Sequence, residues 1–124
     1  MRIGELSRRT GVSRRSIRYY EQHGLLLPER TSNGWRHYDA TCEHRVRAIA
    51  DLLGKGLTID SVRQLGPCLD LYDPAACDDP GPAIEIYRSR LAVLDDRLAR
   101  LQAHRNRLAE QLGALQSAGD RSAG

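Results

Sequence analysis

The sequence predicts an all-α chain with a small β wing, in which a winged helix-turn-helix head precedes a long C-terminal helix suited to a coiled coil. Three observations carry that prediction. Residues 2–10 read as a helix, followed by a short turn at Gly11-Val12-Ser13 and a second, capped helix that Gly24 closes. Ser32-Asn33-Gly34 separates two short extended stretches and is a strong turn former, because Asn and Gly tolerate positive φ. From Ile84 to Leu115 apolar residues recur at alternating spacings of three and four.

At 124 residues the chain has room for one small domain and one long element that packs elsewhere. Its net charge of +3 is unevenly spread. Residues 1–50 hold ten arginines against five acids, whereas residues 66–83 hold four aspartates and no base. The basic half suits a polyanionic partner. No apolar run approaches the roughly 20 residues that span a bilayer, and no signal-peptide core is visible. A cytoplasmic location without a membrane partner is therefore expected. Three cysteines do not make a secreted disulfide framework. Phe is absent, so the core must rest on Leu, Ile, Val and Tyr.

The first helix, residues 2–10, turns Ile3 and Leu6 inward and ends at Gly11. Ser13 is placed to cap the second, its hydroxyl accepting a first-turn N–H. Ser13, Arg14 and Ser16 fall in that turn, near the positive end of the helix dipole. Arg15, Arg18 and Tyr19 recur along the polar face, while Ile17 and Tyr20 point toward a core. Guanidinium forks, hydroxyls and a phenol on one face suit a phosphate-rich groove. From this stretch alone a merely solvated basic face fits equally well. The preceding helix and Gly-containing turn complete the helix-turn-helix pattern and tip the reading toward DNA.

Gly24 closes the second helix, and Leu25-Leu26 return the chain to the core. Pro28 opposes further helix, and Trp35-Arg36-His37-Tyr38 alternates as a short strand would. The expected wing carries Arg30 and Arg36 outward and packs Trp35 and Tyr38 downward at its base. Asp39 caps a third helix with Cys42, Val46, Ile49 and Leu53 on its apolar face, ended by Gly54 and Gly56. Cys42 there reads as a small core residue. Thr58 caps a fourth helix with Ile59, Val62 and Leu65 inward, stopped by Gly66-Pro67. The expected boundaries are a head at 1–66, a connecting loop at 67–82, a dimerisation helix at 83–116 and a flexible tail at 117–124. Pro82 suits the first position of the long helix. Its seam of Ile84, Tyr87, Leu91, Leu94, Leu98, Leu101, Leu108, Leu112 and Leu115, interrupted by Arg105, is too long for this domain to cover. The expected partner is the same helix of a second copy.

The runs Ile3-Gly4-Glu5-Leu6, Thr10-Gly11-Val12-Ser13, Ile17-Arg18-Tyr19-Tyr20-Glu21, Gly24-Leu25-Leu26, Pro28-x-Arg30 and Gly34-Trp35-Arg36-x-Tyr38 resemble those of MerR-family transcription regulators. Similarity continues through the third and fourth helices and, in kind, through the terminal coiled coil. The resemblance implies a winged-helix DNA-binding domain and an antiparallel coiled-coil homodimer. It implies binding to a pseudo-palindromic operator in an overlong promoter spacer. Effector binding then kinks and untwists the DNA, so that RNA polymerase engages both hexamers. By family position Arg18 and Tyr19 lie on the DNA backbone, Ser13 and Arg14 near the groove, and Arg36 on wing phosphates. Arg15, Ser16, Arg30 and Tyr38 complete the expected DNA-binding set, and Trp35 stands where the family commonly has Tyr.

No cofactor is assigned, and three readings stand for Cys68 and Cys77. They form a reversible disulfide, which requires Cα atoms within about 7 Å. They bind a thiophilic metal ion with help from His44, His104 or the partner chain. Or they have no sensing role. The family's metal sensors pair a cysteine at the start of the dimer helix with two beyond it, and this chain has none after Cys77. His23 and His37 read as phosphate or solvent neighbours, and His104 as solvent-facing. No metalloprotease motif, nucleophile elbow or phosphate-binding Gly loop is present, so no catalytic residue is expected. The alternative function on the same fold is an architectural DNA-binding protein without an effector, which footprinting would show coating many sites rather than one.

Overall fold

The computed structural model of the chain describes residues 1–65 and 79–123. Helix α1 (Ile3–Thr10) buries Leu6 completely and ends at Gly11, whose φ of 73° belongs to the left-handed region. The turn that follows is held by two hydroxyls. Ser7 Oγ donates to Val12 O at 2.7 Å, and Thr10 Oγ1 accepts from the Val12 N–H at 3.2 Å. Helix α2 (Arg14–Gln22) starts where Ser13 accepts the Ser16 N–H at 3.1 Å, and it buries Ile17 and Tyr20. These two helices are the helix-turn-helix that the sequence implies.

Strands β1 (Glu29–Arg30) and β2 (Arg36–His37) pair antiparallel, with Glu29 opposite His37 and Arg30 opposite Arg36. Across the turn the Thr31 N–H donates to Trp35 O at 2.8 Å and the Gly34 N–H to Thr31 O at 2.9 Å. Gly34 supplies the positive φ, 77°, that this tight reversal requires. Met1 runs beside the end of β2. Its nitrogen donates to Tyr38 O and its carbonyl accepts the Tyr38 N–H, both at 2.8 Å.

Helix α3 (Ala40–Gly54) is capped by Asp39, whose carboxylate accepts the Cys42 N–H at 2.9 Å. Its inward stripe is Cys42, Val46, Ile49 and Leu52. Leu53, expected there, is only partly buried, because a stripe leaving Ile49 can continue at either of two neighbouring positions and the Leu52 side packs on the head. Helix α4 (Ile59–Leu65) follows Thr58, which accepts the Ser61 N–H at 3.1 Å, and buries Val62 and Leu65.

Helix α5 spans Gly81–Ala123. Asp79 accepts the Gly81 N–H at 3.2 Å, and Pro82 falls in the first turn, where a missing N–H costs nothing. The expected flexible tail from residue 117 is instead helical through Ala123. No proline interrupts it, and Arg121 Nε donates to Ser117 O at 3.3 Å near the helix end, where a cation is favoured.

The chain forms two units, 1–88 and 89–124. In the first, the buried side chains of α1–α4, with Leu25, Leu26, Tyr38 and Leu57, make one core, joined by Ala83 and flanked by Ile86 and Tyr87. No polar or charged residue other than Tyr is buried among the described residues. Cys42 belongs to that core, and burial pushes its thiol up, so it stays protonated and inert. In the second unit the seam leucines are open to solvent: Leu91 is 60% exposed and Leu108 72%.

Two stability outcomes follow. Gly11→Ala forces a Cβ into left-handed backbone and should lower stability by about 1–2 kcal/mol in urea unfolding with an unchanged m-value. The Cys42 N–H holds the Asp39 carboxyl below the usual carboxylate range. Its capping contribution is therefore full at neutral pH and is lost as acidification protonates it, within about pH 5 to 2. Asp39→Asn, which still caps, should flatten the pH dependence of the unfolding midpoint across that window.

Candidate nucleic-acid interface

Helix α2 presents Arg14, Arg15, Arg18 and Tyr19 to solvent, and the burial of Ile17 and Tyr20 on its other side fixes that orientation. Ser16 is partly exposed. Its hydroxyl accepts from Ser13 Oγ at 3.0 Å, so both first-turn hydroxyls are already oriented by the cap. The Arg14 guanidinium lies across α1 at Gly4, where a Cβ would come within 2.8 Å of Nη2. A side chain at position 4 would make that guanidinium shift. Tyr19 packs its ring edge-on against His23, with centroids 4.3 Å apart.

The charges divide sharply. Arg9 pairs with Glu5 at 3.0 Å and with Glu43 at 3.6 Å, and Arg47 pairs with Glu43 at 3.0 Å. That hydrogen bond from Arg47, with the Arg9 charge, holds the Glu43 carboxyl below its ordinary range. Arg14, Arg15 and Arg18 form no ion pair among the described residues. The cluster of Arg9, Arg47, Glu5 and Glu43 between α1 and α3 is thus internally neutralised, whereas α2 shows uncompensated positive charge. Such a row attracts phosphate strongly and in a salt-dependent way.

Beside α2 a cleft of about 420 Å³ is lined by Arg2, Arg18, Arg30, Arg36, Trp35 and Tyr38, with Ile3 and Gly34. Four arginines therefore line one recess. Arg30 Nη1 donates to Gly34 O at 3.2 Å, within the wing. Arg36 Nε pairs with Glu21 Oε2 at 3.0 Å, and the Tyr38 hydroxyl donates to Glu21 Oε1 at 3.4 Å. One carboxylate at the end of α2 so holds two wing residues.

Two expectations about the wing are corrected. Tyr38, assigned to the DNA-binding set, is 1% exposed. Its ring fills the core beneath the wing, and burial, then the Glu21 charge, pushes its hydroxyl pKa up. It positions Arg36 through Glu21 and leaves almost none of its own surface open in the recess it lines. Trp35, expected to pack downward, is 51% exposed and carries the Arg2 guanidinium 3.5 Å above its ring centroid. Arg2 was not among the residues the sequence singled out. The signal was its charge beside the first helix, uninformative until the fold set it on Trp35.

Of the seam residues, Leu91, Leu98, Leu101, Leu108 and Leu112 stand exposed, Ile84 is half-exposed, and Leu94 is partly covered. Tyr87 packs against the core of the first unit. Cys68 and Cys77 lie outside the described residues. Among the described residues no group of three or more His, Cys, Asp or Glu side chains is placed to hold a metal ion, and no helix is long and apolar enough to cross a membrane.

Residues 1–66 match the family model described as MerR HTH family regulatory protein. The chain is 36% identical over 108 residues to the HTH-type transcriptional regulator HmrR of Rhizobium leguminosarum bv. viciae, spanning 87% of this chain and 81% of that protein. It is 37% identical over 81 residues to the mercuric resistance operon regulatory protein of Bacillus cereus, spanning 58% and 61%. Among solved structures, the transcription regulator PbrR691 from Ralstonia metallidurans CH34, in complex with lead(II), aligns with a TM-score of 0.73 and 30% identity, over 89% of this chain and 83% of that one. Sequence and fold agree, and the chain belongs to the MerR family of transcriptional regulators, which are not enzymes.

Proposed function

We propose that two copies of this chain, joined along α5, bind a pseudo-palindromic operator in a promoter spacer and distort it in response to an effector, so that RNA polymerase can engage both promoter hexamers. The observation that carries the reading is the uncompensated row Arg14, Arg15 and Arg18 beside a recess that adds Arg2, Arg30 and Arg36. DNA bending and untwisting of this kind cost of order a few kcal/mol. Several charge-assisted phosphate contacts from each head offset that cost. Few side chains here are suited to reading base edges, so sequence-dependent DNA shape carries much of the specificity.

The effector reaches the chain through Cys68 and Cys77 in this reading. The names of the relatives, mercuric resistance and a lead(II) complex, support a thiophilic input. The thiol pair is the part of this sequence with that chemistry. An oxidant that closes the pair into a disulfide is the second input to test.

Arg18→Ala should weaken binding to all DNA sequences alike and reduce the slope of log K against log salt by about one unit. Arg9→Ala, whose guanidinium is already neutralised, should leave the slope unchanged. Fluorescence-anisotropy titrations across a salt series measure both, and an unchanged slope for Arg18→Ala would remove Arg18 from the phosphate contacts. Cys68→Ser with Cys77→Ser should leave operator affinity intact while abolishing the transcriptional response to mercuric or lead ions and to oxidant. Normal induction by that double variant would take the pair out of sensing.

A further inference from the structure

The α5 seam is interrupted once, by Arg105, and the interruption obeys the repeat. Leu91, Leu94, Leu98, Leu101, Arg105, Leu108, Leu112 and Leu115 follow alternating spacings of three and four without a slip. Arg105 therefore occupies a core position of the heptad rather than a flank. It makes no ion pair among the described residues, and its guanidinium donates to its neighbour Asn106 Oδ1 at 3.3 Å. Asp95 likewise has no ion pair among them, although Asp96 beside it pairs with Arg100 at 2.8 Å. The leucines around both stand 56–72% exposed, apart from the partly covered Leu94. An apolar stripe this long and this bare needs an occupant.

Resting on the homodimer proposed above, we infer that a second copy covers the stripe in one antiparallel register, set by Arg105 of each chain pairing with Asp95 of the other. Parallel pairing puts the two Arg105 side chains in one core layer, where like charges repel in a dry environment. Antiparallel pairing matches the two spacing classes of the repeat to each other, and several registers do so. Reflection about the point midway between Ala99 and Arg100 sets Leu98 against Leu101, Leu91 against Leu108 and Arg105 against Leu94. On the flank that Arg105 shares, the next residue of the opposite helix is then Asp95. Sliding the centre by half a heptad in one direction brings Arg88 to that place, and in the other direction Gln102. The first repels and the second leaves the guanidinium without a counter-charge. Only the central register supplies a carboxylate, and symmetry supplies it twice, about 8 Å either side of the two-fold axis at ~1.5 Å per residue. A charged core residue that tolerates one alignment and penalises the others fixes both direction and register.

The test is a charge exchange in the full chain, read by sedimentation equilibrium. Asp95→Arg and Arg105→Asp should each weaken the dimer about tenfold or more, and the two together should return it to within about threefold of the unaltered chain. A double variant no tighter than the weaker single one would overturn the register. A disulfide measurement guards against local misfolding and uses Cys68→Ser with Cys77→Ser as background. A mixture of Leu94→Cys and Arg105→Cys chains should cross-link across subunits, and the Leu94→Cys chain should not cross-link alone. Self-cross-linking of Leu94→Cys, which keeps both Arg105 and Asp95, would equally overturn the proposal. An unaltered chain that stays monomeric while occupying its operator would defeat the homodimer reading itself. A dimeric chain without charge rescue would defeat only the register.

Discussion

The head depends on the junction where Glu21 meets Tyr38 and Arg36. A hairpin of two residues per strand is not stable by itself. It holds its place because Tyr38, at its foot, is sunk in the core, bonded through its main chain to Met1 and through its hydroxyl to Glu21. The other oxygen of Glu21 takes Arg36. The wing arginines and the α2 arginines are thus registered to each other by one carboxylate at the end of α2. A partly exposed ion pair of this kind adds little to stability. Its consequence is geometric: it decides which guanidiniums share the recess with Arg18 and Arg2.

That geometry gives the head two electrical faces. Glu5 and Glu43 absorb the charge of Arg9 and Arg47, pinning α1 to α3 with paired groups whose field falls off quickly. No acid performs that service for Arg14, Arg15 or Arg18 among the described residues. Net charge alone would not have distinguished these sets, since all are arginines in the same basic half. The division arises because acids spaced along α1 and α3 reach their own neighbours, while the first turn of α2 holds none.

Most of the head was legible in the sequence because its signals are local. Ser13, Asp39 and Thr58 cap where short-range rules place them, and Gly11 supplies the left-handed turn. Ile17, Tyr20, Val46 and Val62 fall inward by helical period alone. Apart from Leu53 in α3, the misreadings in the head concern the wing, where position depends on distant partners. Trp35 and Tyr38 are three residues apart, so strand alternation puts them on opposite faces and both could not pack down. The aromatic that reached the core was the one with Glu21 and Met1 to receive its polar atoms. Arg2 on Trp35 was invisible for the same reason, as nothing local links two residues 33 positions apart. The end of α5, expected as a flexible tail, continues as helix through Ala123, since no proline or chain reversal stops a helix already so long.

The long helix poses a different constraint, because its apolar seam is useful only if it pairs in one way. A stripe of leucines alone would associate more tightly than the observed one, but in several registers and in either direction. Leucine side chains fit many alignments of the repeat nearly equally well, and the proposed operator-binding dimer needs its two heads at one fixed separation. Arg105 resolves the degeneracy at some expense in affinity, since a core guanidinium must shed water before it finds a carboxylate. With Asp95 the sole acid on the flank Arg105 shares, all alignments but one leave that shed water uncompensated. The residue that looks like a flaw in the repeat is therefore the one that makes the repeat specific.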